Sequence, residues 1–199
     1  MINSELGHVK SLKEFHTSIR EQQEEAHGEY YCAMHDAIQK RLKHCNSYME
    51  LGVHQGGTAA AAMLCNPKEI CLIDTDMSRY KKFLMPIAEE YCVRNNIKLD
   101  LRQTDSTGFG SINPTDMLVI DSYHHPNHMT KELEVHGKNV KKYIIAHDTS
   151  IINGRPNDAL FHVLVRFADQ NKWEVEQREH RNVGYTVLKK YVVLYNYNT

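Results

Sequence analysis

Apolar and polar positions change period several times along the chain, and the changes outline alternating strands and helices. Short apolar stretches bounded by polar residues occur at Tyr48 to Leu51, Ile70 to Ile73, Met117 to Ile120 and Tyr143 to Ala146, and Ile97 to Thr104 alternates apolar with polar as a strand does. Runs of that length fit strands of a buried parallel sheet. Between them the spacing turns helical, with helices expected over about Tyr30 to Lys43, Arg79 to Asn95 with an interruption at Pro86, Thr130 to Lys138, and Asn157 to Gln170. Trp173 to His180 and Val183 to Val193 read as two strands joined by a turn at Arg181-Asn182. Strand and helix alternating five times before a terminal hairpin predict an α/β, doubly wound sheet with an antiparallel edge. Residues 1–44, polar and highly charged, read as an N-terminal helical extension, and 45–199 as one domain; 199 residues suit a single well-buried core.

The stretch Tyr48 to Thr58 followed by Ala59 to Ala62 has the order strand, tight glycine turn, helix start. Such a turn brings backbone N–H groups up to a ligand. Gly52 and Gly56 supply the backbone freedom and leave room for a ligand across the turn, Thr58 is placed to cap the helix, and the alanines allow close approach to a sheet. An ordinary strand-to-helix connection would contain the same glycines. Asp74 ends the second strand, where a carboxylate accepts both hydroxyls of a ribose, with Asp76 as its competitor.

Position 54 is histidine, so the pattern is E-x-G-x-x-x-G-G and departs from the dinucleotide fingerprint G-x-G-x-x-G. It resembles the first motif of class I S-adenosylmethionine (SAM) dependent methyltransferases. The resemblance covers residues 46 to 190 and implies a Rossmann-like, mostly parallel sheet of seven strands in the order 3-2-1-4-5-7-6, making 45–199 the SAM-binding domain. It also implies that Glu50, Gly52, Gly56, Gly57 and Thr58 face the methionine end of SAM, and that Asp105, ending the third strand, takes the adenine amino group.

The fourth and fifth strands end in Asp121 and in His147-Asp148-Thr149. Ligands of open parallel sheets bind beyond the carboxyl ends of the strands. If these two strands are neighbours, Asp121, Asp148 and His147 form an oxygen-rich shell for Mg²⁺ or Mn²⁺; the alternative is that both carboxylates cap helices. The loop Asp121-Ser122-Tyr123-His124 and the following Ile144-Ile145-Ala146-His147-Asp148-Thr149 resemble metal-dependent small-molecule and sugar O-methyltransferases, including the macrolide sugar methyltransferases and the cephalosporin-hydroxylase-like group. That resemblance implies Asp121 and Asp148 as metal ligands, His147 where the group has His or Glu, Asp121 beside the cofactor, and His124 as general base, with His125 able to take its place. The expected reaction is O-methylation of a small hydroxylated acceptor, such as a sugar.

A net charge of −1 shows no footprint for nucleic acid, and Asp121-Ser122-Tyr123-His124 lacks the prolines of the tetrad that marks amino-methylating DNA enzymes. A SAM- or nucleotide-binding module without turnover is the alternative from another class. An iron oxygenase ranks below both, since no H-x-D pair occurs. Five cysteines without a C-x-x-C pair suggest reduced thiols in the cytoplasm. No membrane-length apolar run and no leader are apparent, and homo-oligomers are compatible with everything above.

Overall fold

The structure is a computed structural model that describes residues 9–108, 110–152 and 155–191. Positions 192 and 193 of the expected last strand, and the first eight residues of the expected extension, lie outside the described residues. In chain order the elements are α1 (Leu12–His27), α2 (Ala33–Leu42), β1 (Ser47–Leu51), α3 (Gly57–Met63), β2 (Glu69–Asp74), α4 (Ser78–Phe83), α5 (Met85–Arg94) and β3 (Lys98–Gln103). They continue with β4 (Thr115–Ile120), α6 (Pro126–His136), β5 (Val140–His147), β6 (Ile151–Ile152), β7 (Arg155–Pro156), α7 (Ala159–Asn171), β8 (Trp173–Glu179) and β9 (Tyr185–Lys190).

Seven strands form one sheet in the order β3-β2-β1-β4-β5-β9-β8, and β6 pairs with β7 in a separate ladder. The first five are parallel, while β9 runs antiparallel to both β5 and β8. This is the expected α/β, doubly wound arrangement, with the terminal hairpin folded in so that its second strand lies inside. Alternation along each strand divides the core. Tyr48, Leu72, Met117, Val119, Ile145 and Val187 pack on one face with α1 to α5. Met49, Leu51, Ile73, Leu118, Ile120 and Ile144 pack on the other with α6 and α7.

Leu12, Phe15 and Ile19 of α1 and Met34, Ile38 and Leu42 of α2 belong to the first of these clusters, so the N-terminal helices share the core of the sheet. Each helix is amphipathic, and only one face needs cover. All seven residues of α3 are buried, and the alanine run permits it: a Cβ at Gly57 would lie 2.8 Å from Ile19 Cγ2.

Local chemistry moves several boundaries. The helix expected from Tyr30 starts at Ala33, because Tyr30 adopts a left-handed φ of +68°. The helix expected from Arg79 is two helices parted at Leu84, with Pro86 in the first turn of α5, where a backbone N–H would have no acceptor within the helix. Helix α6 begins at Pro126, ahead of the expected Thr130, for the same reason, with His125 as its N-cap.

Candidate active site

The carboxyl ends of β1, β2, β3 and β4 open into a cleft of about 300 Å³, lined by Gly52, Asp74, Asp105, Asp121, Ser122 and Tyr123 among others. The glycine turn that forms its floor is held by backbone packing. Gly52 has φ +87°, and a Cβ there would lie 2.1 Å from the carbonyl oxygen of Asp121 and 2.7 Å from Ser122 Cα. At Gly56, with φ +89°, a Cβ would meet Leu84 Cδ2 at 2.5 Å. The missing side chains expected to make room for a ligand thus make room for the β4 loop, Leu84 and Ile19. Gly56 itself is the N-cap of α3 and no side chain caps that helix; Thr58, expected in that role, stands in its first turn and lines a second cavity.

Asp74 ties the turn to β2. Its Oδ2 accepts from the backbone N–H groups of Val53 at 2.7 Å and His54 at 2.9 Å, and its Oδ1 from that of Asp76 at 3.0 Å. His54 adopts φ +50° to present its N–H. The carboxylate therefore sits on the cleft wall with its oxygens already engaged by the loop, which fixes both partners. Asp105 is exposed at the rim and accepts from Thr107 N at 2.7 Å and Thr107 Oγ1 at 2.8 Å. Its carboxyl lies below the usual range because of those bonds.

Glu50 is placed differently from the expectation. Strand alternation puts it on the α1–α3 face, 1% exposed and under the turn, accepting from Tyr48 Oη at 2.8 Å and lining neither cavity. Burial, reinforced by Asp121 and Asp74, pushes its pKa well above the carboxylate range.

Next to the cleft, at the ends of β4 and β5, four side chains converge. His124 Nε2 is 3.0 Å from Asp148 Oδ2 and 3.4 Å from Asp121 Oδ1; His147 Nδ1 is 3.1 Å and 3.2 Å from the same two atoms. Asp148 takes a left-handed φ of +54° to turn into this group. Such strain in a non-glycine residue is seen at sites where surrounding contacts over-determine the backbone. Burial would lower His124 and raise the carboxyls, but the hydrogen-bonded ion pairs outweigh it. His124 is pushed up to about 9, His147 goes well above the usual histidine range, and Asp121 and Asp148 fall below theirs.

The ligand atoms of Asp121, His124 and Asp148 lie within 4.8 Å of one another, so the histidine grouped with the two carboxylates is His124, where His147 was expected; His147 touches the same two oxygens from the buried side. His125, the other expected base, is turned away: its Nδ1 accepts from Asn127 N at 3.3 Å as the N-cap of α6, and its ring lies parallel to Tyr123 at 5.8 Å.

Three contributions have no local signature in the sequence. Tyr31, from the α1–α2 loop, meets His147 edge-on at 5.7 Å, and burial together with Asp121 and Asp148 pushes its phenol up to about 12. Between that loop and the glycine turn lies a pocket of about 80 Å³, lined by Tyr31, His35, Gln55, Thr58, Asp121 and His147 among others. Gln55 is 2% exposed, and its Nε2 has no hydrogen-bond partner among the described residues. The hairpin turn between β8 and β9 clamps the Tyr31 loop. Asn182 Nδ2 donates to the carbonyls of His27 at 2.9 Å and Glu29 at 3.1 Å, and Arg181 lies 3.8 Å over the Tyr30 ring.

No protein-family model matches the sequence. No curated protein matches it either. Solved structures do share the fold. A Staphylococcus aureus protein provisionally described as a caffeoyl-CoA O-methyltransferase superposes with TM-score 0.63 at 14% identity, over 88% of this chain and 92% of that one. An O-methyltransferase of Bacillus cereus, in complex with S-adenosylhomocysteine (SAH), gives 0.57 at 13% identity over 94% of each chain. The Streptomyces achromogenes O-methyltransferase TomG, involved in tomaymycin synthesis and solved with SAM, gives 0.55 at 12% over 96% and 91%. The chain has the class I SAM-dependent methyltransferase fold.

Proposed function

We propose that the chain is a SAM-dependent O-methyltransferase that acts on a small hydroxylated acceptor with help from a divalent cation. One observation carries the reading: a carboxylate–imidazole cluster, Asp121, His124, His147 and Asp148, stands at the strand ends beside a ligand-sized cleft on this fold. In the proposal Gly52 and Asp74 shape the cleft around the ribose, Gly56 and Gly57 hold the turn beneath it, and Asp105 faces the purine. Gln55 and Thr58 receive the amino-acid end in the small pocket, where the Gln55 amide lacks a partner.

SAM, when bound, supplies a methyl group on a sulfonium, so no protein nucleophile is required. What the protein must do is align an acceptor hydroxyl and remove its proton. Asp121 and Asp148 with one imidazole form a mixed oxygen and nitrogen donor set, which suits Mn²⁺ better than Mg²⁺. We assign His147 to that set because it is buried, and His124 to proton removal because its side chain is the more exposed of the two, at 39%. His124 can accept a proton only when neutral. The positive charge of a cation between the carboxylates would favour that form.

Calorimetric titration with SAM and SAH, with and without Mn²⁺, tests the reading. Saturable binding of both is expected, with protons released as Mn²⁺ enters the cluster. Absence of binding by either would discard it, and binding indifferent to Mn²⁺ would remove the cation. His124→Ala should abolish methyl transfer while SAH still binds.

A further inference from the structure

Behind the wall of the cleft, α6 carries a carboxylate that the mechanism above leaves unused. Glu132 is 0% exposed, yet its Oε1 gathers three polar groups: Ser106 Oγ at 2.5 Å, Ser122 Oγ at 2.7 Å and His128 Nε2 at 3.3 Å. Its Oε2 is buried with no hydrogen-bond partner among the described residues. Ser106 comes from the loop after β3, Ser122 from the loop after β4 and His128 from α6. All three line the cleft, and Glu132 stands behind them.

A carboxylate oxygen in this position accepts and does not donate. Each serine hydroxyl has one proton and two lone pairs. With the proton directed back to Glu132, the hydroxyl meets a ligand as an acceptor alone.

We propose that Glu132 is a positioning residue that sets the polarity of the cleft's purine end, turning Ser106 and Ser122 into acceptors that select an exocyclic amino group over a carbonyl. This rests on the SAM reading, in which the ring is adenine. Adenine offers two N–H donors at that edge, and its deaminated counterpart hypoxanthine offers an oxygen. Asp105 at the same rim is also an acceptor, so an oxo group would face lone pairs from two loops.

The test compares SAH with S-inosylhomocysteine by calorimetry on the wild-type protein, Glu132→Leu and Ser122→Ala, with thermal unfolding to confirm that each variant folds. Leucine keeps much of the volume but takes the acceptor from Ser106, Ser122 and His128, so a loss of stability is expected that the thermal scan measures separately from the affinity ratio. Wild-type protein is expected to prefer SAH by at least roughly tenfold. In Glu132→Leu the Ser122 hydroxyl is released to donate to the oxo group, while Ser106 keeps His128 Nε2 at 3.2 Å, and the two affinities come within about threefold of each other. Ser122→Ala should weaken SAH several-fold and leave the inosyl compound unchanged or tighter.

A Glu132→Leu protein whose two affinities fall together, with the ratio intact, would make Glu132 merely structural and overturn the proposal. If that variant fails to fold, Ser122→Ala decides, and an unchanged ratio is fatal. Wild-type binding of both compounds without discrimination sinks this proposal alone. Binding of neither sinks the methyltransferase reading and the proposal with it.

Discussion

Adding a single methyl group at Gly52 should disable the site from its floor. The Cβ of Gly52→Ala would sit 2.1 Å from Asp121 O, 2.4 Å from Asp121 C and 2.7 Å from Ser122 Cα. All three are backbone atoms, so no side chain can swing aside. Relief requires the β4 loop to move, and that loop carries Asp121 and His124. The φ of +87° adds left-handed strain of about 1–2 kcal/mol for a residue with a Cβ. Forced repacking contributes about 1–3 kcal/mol. The stiffer unfolded chain returns about 0.4–1 kcal/mol, leaving a net loss of roughly 2–4 kcal/mol.

Gly110 provides the control, since it has φ +77° and nothing within 4 Å of its Cβ position. Gly110→Ala bears the strain without the collision and should lose no more than about 1.6 kcal/mol. Urea unfolding gives both stabilities, and titration with SAH gives the effect on the cleft, expected to be at least roughly tenfold weaker for Gly52→Ala. If Gly52→Ala unfolds at the wild-type midpoint and binds SAH normally, Gly52 does not pack against the backbone of Asp121 and Ser122.

Other perturbations reach separate parts of the site. The cation-free protein should be most stable in weakly acidic solution. The raised His124 contributes fully below about pH 6.5 and loses its contribution as pH climbs through about 9, with the raised His147 adding to the same alkaline arm, while the lowered Asp148 contributes above about pH 3.8 and fails as pH drops further. Urea midpoints across pH 5 to 10 check this, and His124→Ala should flatten the alkaline arm; equal slopes in both proteins would contradict it. Asn182→Gly keeps the left-handed turn and removes the clamp on the Tyr31 loop. A loss of about 1–2 kcal/mol, with faster amide exchange at 27–31, is expected, and unchanged exchange there would show that the clamp is idle. Asp74→Asn should weaken SAH binding and cost about 1.5–3 kcal/mol, because a neutral amide oxygen accepts less strongly from Val53 and His54; a fall in binding without loss of stability would place Asp74 on the ligand alone.

The pattern of apolar runs was enough to mark the parallel strands, because strands covered on both faces expose no polar side and read as unbroken hydrophobic stretches. The sheet order rested on the family resemblance, since periodicity does not say which strand lies beside which. The residues at the strand ends were legible for a similar reason: in an open parallel sheet the carboxyl ends lie along one edge, so Asp74, Asp105, Asp121 and His147-Asp148 had to line that edge once the strands were named. Sequence could not say which way each side chain turns. Glu50 reads like a cofactor carboxylate and is buried behind the turn, and the glycines make space for protein backbone. Tyr31, Gln55, Ser106, Ser122 and Glu132 acquire their roles only from partners far along the chain. A hydrogen bond such as Ser106 to Glu132 leaves no period in the intervening residues. Local spacing specifies strands and turns, while the contacts that tune the site come from packing distant segments together.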